Sequence, residues 1–347
     1  MVMERVRVAV IGAGFIADYH LAALATVPQA SVCAIASRSA VKAEALARRW
    51  GVALATTDVD RVLEGSVVDA VIITTPDDTH EDLAIRAAKA RKAVLLQKPM
   101  ATDSAACRRI IAAAREAGVD LQVSFMHRYF EEVVRAGALI REGAIGRVES
   151  LRIRNATPGP DWSDWFFKRD RIGAGAVLQL GTHGIDLVEY LFGAIDAVSA
   201  RTATLRATRR LADGREVPVE NSDSAWATYT LASGAVASHE ISMIEQRGTD
   251  RFRMEIYGSL GAIWLRSELG ALSVASARSG SCGWIKPPLP QPPFGQRQHR
   301  RWLAGLLGIE PPEQTARAGL RTLLVAEAIE RSSATGGGDV PIAAEDA

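Results

Sequence analysis

Gly12-Ala13-Gly14-Phe15-Ile16-Ala17 has the spacing G-x-G-x-x-A, directly after an apolar run from Val6 to Ile11 and at the start of a stretch with helical period. The first glycine of such a pattern allows a tight turn. The second lets the backbone approach a pyrophosphate, and the small Ala17 lets helix and strand pack closely while the helix N-terminus faces the anion. A dinucleotide cradle is the expectation, with Gly12, Gly14, Phe15 and Ile16 on it. The second apolar run ends Ala36-Ser37-Arg38-Ser39, with no acid to accept from a ribose 2′-hydroxyl. Ser37 and the Arg38 guanidinium suit a 2′-phosphate instead, so NADP(H) is expected ahead of NAD(H). The alternative is that Arg38 is an ordinary solvated arginine.

Two further places carry groups able to hold or move a proton. Lys98 follows the fourth apolar run, Val94 to Leu96, and so projects from the carboxyl edge of a sheet, where ligands bind in open α/β folds. An ammonium there would hydrogen-bond a substrate oxygen and polarise a carbonyl; otherwise it is a solvated lysine before a proline. From Val177 to Phe192 a helix is expected, with Gln179, His183, Asp186 and Tyr190 in one polar stripe and Leu180, Gly184, Leu187 and Leu191 in an apolar one. Such a stripe is either a solvent edge or the lining of a cleft. Imidazole, with an ordinary pKa of ~6.5, suits proton exchange near neutrality. His183 with Asp186 lacks an obvious third ligand, so no metal site is expected. The loop Asn155 to Arg171 holds Trp162, Trp165, Phe166, Phe167, Lys168 and Arg169, which suit the faces and hydroxyls of a sugar and equally suit packing or oligomer contacts.

Positioning these groups requires two kinds of architecture. Up to about residue 125, apolar runs at Val6 to Ile11, Val32 to Ala36, Asp69 to Thr74, Val94 to Leu96 and Leu121 to Phe125 alternate with helical stretches. This pattern builds a parallel sheet covered on both faces. After a helix at Glu131 to Glu142, short strands at Glu149 to Arg154, Ala225 to Leu231, Ala235 to Ile244, Phe252 to Tyr257 and Ala262 to Leu265 imply a mostly antiparallel sheet. The fold class is therefore α/β, with domains expected at 1–126 and 127–347. Pro287 to Pro293 reads as a surface loop, and Thr315 to Ser332 as amphipathic. His20 is expected to pack against the sheet, and His299-Arg300-Arg301 to be a solvated face.

Composition narrows the partners. The 347 residues carry 41 basic and 40 acidic side chains, a formal net charge of +1, so no whole-molecule field favours nucleic acid or an anionic membrane. No apolar run is long enough to span a bilayer and no leader pattern opens the chain. Cys33, Cys107 and Cys282 have neither metal-knuckle nor secreted-framework spacing, and they read as reduced thiols in a cytoplasm.

Further motifs resemble one family throughout the chain. Thr75-Pro76-Asp77-Asp78-Thr79-His80 is similar to T-P-N-x-x-H, Leu96-Gln97-Lys98-Pro99 to E-K-P, and Met126-His127-Arg128 to an N-x-R or H-R turn. Glu142 to Gly146 is similar to x-G-x-I-G, and Gly181 to Asp186 to G-x-H-x-x-D. Together with the glycine fingerprint they resemble the glucose-fructose oxidoreductase and inositol dehydrogenase group, Gfo/Idh/MocA. The resemblance implies a Rossmann dinucleotide-binding domain followed by an α+β domain with a large open sheet, with nicotinamide and substrate meeting between the two. It implies redox chemistry at a secondary alcohol of a sugar or cyclitol, and homodimers or homotetramers formed through the C-terminal sheet. It places Thr75, Pro76, His80, Gln97, Lys98 and His127 at the coenzyme and Arg128 beside it, towards the substrate.

Within this frame His183 is the expected general base and acid. Lys98 orients and polarises the reacting oxygen, Asp186 accepts from a substrate hydroxyl, Gln179 orients the His183 ring, and Trp165 meets the substrate. Two positions depart from the family: Gln97 replaces a usual Glu, and Gln179 replaces the Asp of a D-x-x-x-H pair. Neutral Gln179 can fix an imidazole tautomer but cannot stabilise imidazolium as a carboxylate would. Two other readings of the scaffold are a glycosidase-type enzyme using transient oxidation by bound NAD, and a non-catalytic nucleotide-sensing regulator.

Overall fold

The computed structural model describes residues 5–246, 251–267, 269–279 and 283–343. Cys282 lies outside the described residues. The chain divides into two compact units, Met1–Tyr129 with Gln291–Leu320, and Phe130–Pro290 with Arg321–Ala347.

The first unit alternates β1 (Val6–Ile11), α1 (Phe15–Leu24), β2 (Ala30–Ala36), α2 (Ala40–Trp50), β3 (Leu54–Thr56), α3 (Asp60–Leu63), β4 (Ala70–Ile73), α4 (His80–Lys89), β5 (Ala93–Gln97), α5 (Ser104–Ala117) and β6 (Leu121–Ser124). The strand order is β3-β2-β1-β4-β5-β6, and every pairing is parallel. Order reverses between β1 and β4, the position at which a doubly wound sheet opens a crevice for ligands. Val8, Val10, Ile72 and Leu95 are all at most 1% exposed, as the uninterrupted apolar runs require when both faces are covered.

The second unit contains α6 (Glu131–Arg141), β7 (Val148–Ala156), α7 (Arg169–Ile172), a π-helical turn at Val177–Gly181, and α8 (Thr182–Phe192). Then come β8 (Ile195–Ala203), the small pair β9 (Thr208–Arg210) and β10 (Glu216–Pro218), β11 (Ser224–Leu231), β12 (Val236–Ser242), β13 (Phe252–Gly258), β14 (Gly261–Ser267) and β15 (Gly270–Ser276). The remaining elements are α9 (Gln296–Leu306), α10 (Thr315–Ala334) and β16 (Val340–Pro341). The large sheet runs β15-β14-β13-β7-β12-β11-β8-β16, antiparallel except where β7 pairs with β12. Along β11, Ala225, Ala227, Tyr229 and Leu231 are buried and Trp226, Thr228 and Thr230 exposed, the period-2 signature of a sheet covered on one face. The π-helical turn and α8 lie against the covered face at β7 and β12.

Two expectations are corrected here. The division between units falls after Tyr129 rather than at 126, and the stretch 291–320 belongs to the first unit, not the second. The cause is apolar: Trp302 and Leu303 of α9 are buried in one cluster with Val6, Val8, Leu21, Leu24 and Leu95. The same helix removes His299 from its expected solvated face. It is fully buried, and its Nε2 lies 2.8 Å from Nδ1 of His20. Since His299 Nδ1 donates to the Gly295 carbonyl at 2.8 Å, its Nε2 accepts and His20 Nδ1–H donates.

Candidate functional site

In the first unit the candidate residues cluster at the carboxyl ends of β1, β2, β4, β5 and β6. Gly12 follows β1 with φ +117°, and a Cβ there would overlap Thr74 Oγ1 and lie 2.9 Å from the Thr74 carbonyl group. Only glycine permits the loops after β1 and β4 to come this close. Gly14 is extended and exposed, α1 begins without a side-chain cap, and Phe15 is 79% exposed. Apart from Ala17 N–H, which donates to the Gly14 carbonyl at 3.1 Å, the uncapped N-terminus of α1 faces outward, which fits the pyrophosphate of a dinucleotide. Ile16 is half-buried beside them.

After β2, Ser37 Oγ accepts from Ser39 N at 3.3 Å, and Ser39 Oγ caps α2 by accepting from Lys42 N at 3.4 Å. Ser37 is half-buried and Arg38 is exposed, so the guanidinium is accessible at the strand end.

Thr75 and Pro76 follow β4 and are half-buried. His80, at the start of α4, is fully buried; its Nδ1 lies 2.9 Å from the Pro99 carbonyl and its Nε2 2.9 Å from the Thr75 carbonyl. With both ring nitrogens turned to main-chain oxygens, His80 has no polar atom for a dinucleotide, and its expected place among the coenzyme contacts is corrected. Burial holds its pKa below the ordinary value, against the opposing pull of the Pro99, Thr75 and Met100 main chain and of Asp78. Gln97, at the end of β5, turns its side-chain oxygen back to accept from the Lys98 N–H at 2.7 Å. Lys98 is half-buried. Beyond β6, His127 and Arg128 are half-buried, and the Arg128 guanidinium stands 5.2 Å over the Phe125 ring.

In the second unit the helix expected to be continuous from Val177 to Phe192 opens with a wider turn, the π-helical stretch Val177–Gly181, before α8 proper. Gln179 sits on that turn and His183 and Asp186 on α8, so the regular helical stripe expected from Gln179 to His183 is interrupted by the wider turn. Nor is the polar stripe a solvent edge. Every residue from Thr182 to Val188 is buried, with His183 9% and Asp186 1% exposed, and α8 emerges from Glu189 to its end at Phe192.

Beneath α8 runs a hydrogen-bonded chain that the sequence did not reveal. Tyr229 O–H lies 2.8 Å from His239 Nδ1, and His239 Nε2 lies 2.7 Å from Asn155 Oδ1. Because the Asn155 oxygen can only accept, His239 is protonated at Nε2 and Tyr229 donates to Nδ1. Burial pushes His239 down to about 3, so the ring stays neutral. A signal did exist: His239 stands at an inward position of β12 between Ala237 and Ile241.

The aromatic loop is similarly anchored by residues without a local signature. Trp165 stacks on Phe166 with ring centroids 3.8 Å apart, and Trp162, 64% exposed, meets Phe166 edge-on at 5.4 Å. Arg209 donates to the Met243 carbonyl at 3.0 Å and to the Pro158 carbonyl, and lies over Phe167. Among the described residues no helix is long and apolar enough to cross a membrane, and no group of three or more His, Cys, Asp or Glu is placed to hold a metal.

Residues 6–125 match the family described as an oxidoreductase family with an NAD-binding Rossmann fold, and residues 133–264 match the GFO/IDH/MocA C-terminal domain. A levoglucosan dehydrogenase of Pseudarthrobacter phenanthrenivorans is 30% identical over 289 residues, covering 75% of this chain and 73% of that protein. An inositol 2-dehydrogenase of Rhizobium meliloti is 29% identical over 284 residues, covering 82% of each. Among solved structures, levoglucosan dehydrogenase in complex with NADH and L-sorbose superposes with a TM-score of 0.90 at 26% identity, covering 98% of this chain and 100% of that one.

Proposed function

Because the chain belongs to the Gfo/Idh/MocA oxidoreductase family, we propose that it interconverts a secondary alcohol and a ketone on a sugar, cyclitol or related polyhydroxy compound, with NADP(H) favoured over NAD(H). The observation that carries the reading is the anchoring of Lys98 at the carboxyl end of β5, the strand beside β4 at the Gly12–Thr74 crevice. When bound, the nicotinamide supplies the hydride acceptor or donor.

The chain's own residues do the rest. Gly12, Gly14, Phe15 and Ile16 hold the pyrophosphate end, Ser37 and Arg38 a 2′-phosphate, and Thr75, Pro76, Gln97 and His127 the nicotinamide end. Lys98 donates a hydrogen bond to the reacting oxygen and polarises it. His183 takes the hydroxyl proton during oxidation and returns it during reduction. Asp186 accepts from a neighbouring substrate hydroxyl, Gln179 fixes the His183 tautomer, and Arg128 and Trp165 bind the polyhydroxy body.

The exposed face of the large sheet is the surface we assign to self-association as a dimer or tetramer. It carries Trp226 at 46% and Val236 at 45% exposure beside Arg152, Arg154, Glu240 and Glu255, charges of both signs as an isologous contact requires. We place the enzyme in the cytoplasm, in keeping with the unbridged Cys33 thiol.

An absorbance screen at the reduced-nicotinamide band tests the reaction. NAD+ and NADP+ are each offered with levoglucosan, myo-inositol, scyllo-inositol and a panel of aldoses, and NADH and NADPH with the matching ketoses. Reduction of one coenzyme by at least one polyol supports the proposal. Coenzyme binding with no turnover across the panel, or glycoside cleavage with no net change in redox state, would replace it.

A further inference from the structure

His80 and Gln97 grip the main chain on both sides of Lys98. The Gln97 side-chain oxygen accepts the N–H of Lys98 at 2.7 Å, and one residue further on the Pro99 carbonyl faces His80 Nδ1 at 2.9 Å. The opposite ring nitrogen of His80 faces the Thr75 carbonyl at 2.9 Å, so a single imidazole bridges the loop after β4 and the turn after β5. These are the two loops whose separation fixes where an ammonium rooted at residue 98 stands relative to Thr75 and Pro76. Resting on the assignment of Lys98 as a catalytic residue, we infer that His80 is a positioning residue for Lys98: a cross-brace that holds the root of its side chain, aided by Gln97.

The physical case rests on geometry and proton count. A lysine ammonium hangs on four methylenes and is compact and mobile, so its placement depends on how firmly its own backbone is held. His80 is fully buried and both its nitrogens are occupied by main-chain oxygens, so it acts on the chemistry only through the loops it joins. Both partners are acceptors, and a neutral ring has one N–H. It therefore donates to one carbonyl and only packs its other edge against the second, so a side chain of similar reach with a single donor can replace it. The Gln97 contact needs only an acceptor oxygen. A neutral amide supplies it, so this part of the positioning needs no charge.

The test uses the full-length protein and its H80F, H80Q and K98M variants. Affinity for the reduced form of the coenzyme the screen selects is read by fluorescence, and kcat and KM with the best alcohol from the screen. The ε-amine of Lys98 is followed as a ¹³C-dimethyl resonance, assigned by its absence in K98M. H80F is expected to lower kcat by about tenfold or more while KM and coenzyme affinity move by less than about threefold, and to shift the Lys98 resonance. H80Q restores kcat to within about threefold of the parent. In the parent protein the Lys98 backbone amide, bonded to the Gln97 side-chain oxygen, is expected to be protected from hydrogen exchange. H80F with parental kcat and an unmoved Lys98 resonance overturns the inference, as does a loss of kcat and coenzyme binding together that H80Q does not restore. An unprotected Lys98 amide overturns it even if H80F fails to fold. If K98M turns over like the parent, the catalytic assignment of Lys98 has failed and the inference with it; a dead K98M beside a fully active H80F condemns the inference alone.

Discussion

His239 Nε2 donates to Asn155 Oδ1 at 2.7 Å directly beneath Gly184 of α8. A Cβ at Gly184 would lie 2.6 Å from that oxygen and 2.7 Å from the same ring nitrogen. Glycine at this position is what lets the helix carrying His183 and Asp186 rest on a buried polar chain rather than on apolar side chains.

Gly184→Ala therefore has no room. Overpacking of this kind typically costs about 1–3 kcal/mol, read as a lower urea midpoint, together with reduced turnover as α8 lifts. Gly338→Ala, where an added Cβ meets nothing within 4 Å, is the matched control and should stay within about 0.5 kcal/mol of the parent. Equal midpoints for the two variants would show that α8 does not sit as described.

Lys98→Met keeps the stem and removes the ammonium. Turnover should fall by at least about a hundredfold, as for loss of a group acting on the reacting oxygen, with the dissociation constant of the preferred reduced coenzyme little changed. Residual activity near that of the parent takes Lys98 out of the chemistry.

The proposed preference for NADP(H) rests on Arg38, exposed at the end of β2. NADPH should bind more tightly than NADH, and Arg38→Ala should weaken NADPH by about tenfold, the loss expected for a charge-assisted contact, while sparing NADH. Tighter NADH binding by the unaltered protein would assign the chain to NAD(H) instead.

Gln179→Asp introduces a carboxylate on the turn that leads into His183. If the two act together, the anion favours imidazolium, and the pH at which the oxidation rate falls on the acid side should rise by about one unit. An unmoved profile separates Gln179 from the proton transfer.

Four buried histidines, His20, His80, His239 and His299, set an acid limit on stability, burial holding the His80 ring below its ordinary value as well. Burial pushes His239 down to about 3 and His299 to about 4, and holds His20 well below its ordinary value, where the neighbouring His299 also lowers it. Their pKa values are lowered in the folded state, so between about pH 6.5 and these values the unfolded chain holds more protons. Stability is complete above that window and is lost as pH falls through it. At pH 5 the loss for His299 is about 2 kcal/mol. Urea midpoints at pH 7.5 and pH 5 should differ accordingly, and His299→Gln should flatten the dependence. Identical midpoints would mean that these rings protonate without unfolding.

Much of the first unit is local information. Continuous apolar runs such as Val8 to Ile11 and Ala70 to Ile73 force strands buried on both faces, and G-x-G-x-x-A at the end of the first of them allows only one kind of turn. β8 lay hidden because Ile-Asp-Ala-Val-Ser-Ala-Arg-Thr-Ala offers few β-branched or aromatic residues, and β3 is three residues long. The return of α9 to the first unit, the neutral pair His20 and His299 and the carbonyls around His80 were settled only in three dimensions. The two histidines of that pair lie 279 residues apart in sequence. Periodicity along a helix reports its own faces and is silent about what covers them, which is why His183 and Asp186 read as a possible solvent edge yet are buried on α8. Residue type and spacing named the chemistry available to this protein; burial and long-range hydrogen bonding decided which of those groups keep polar atoms for a ligand and which, like His80, spend them on the backbone.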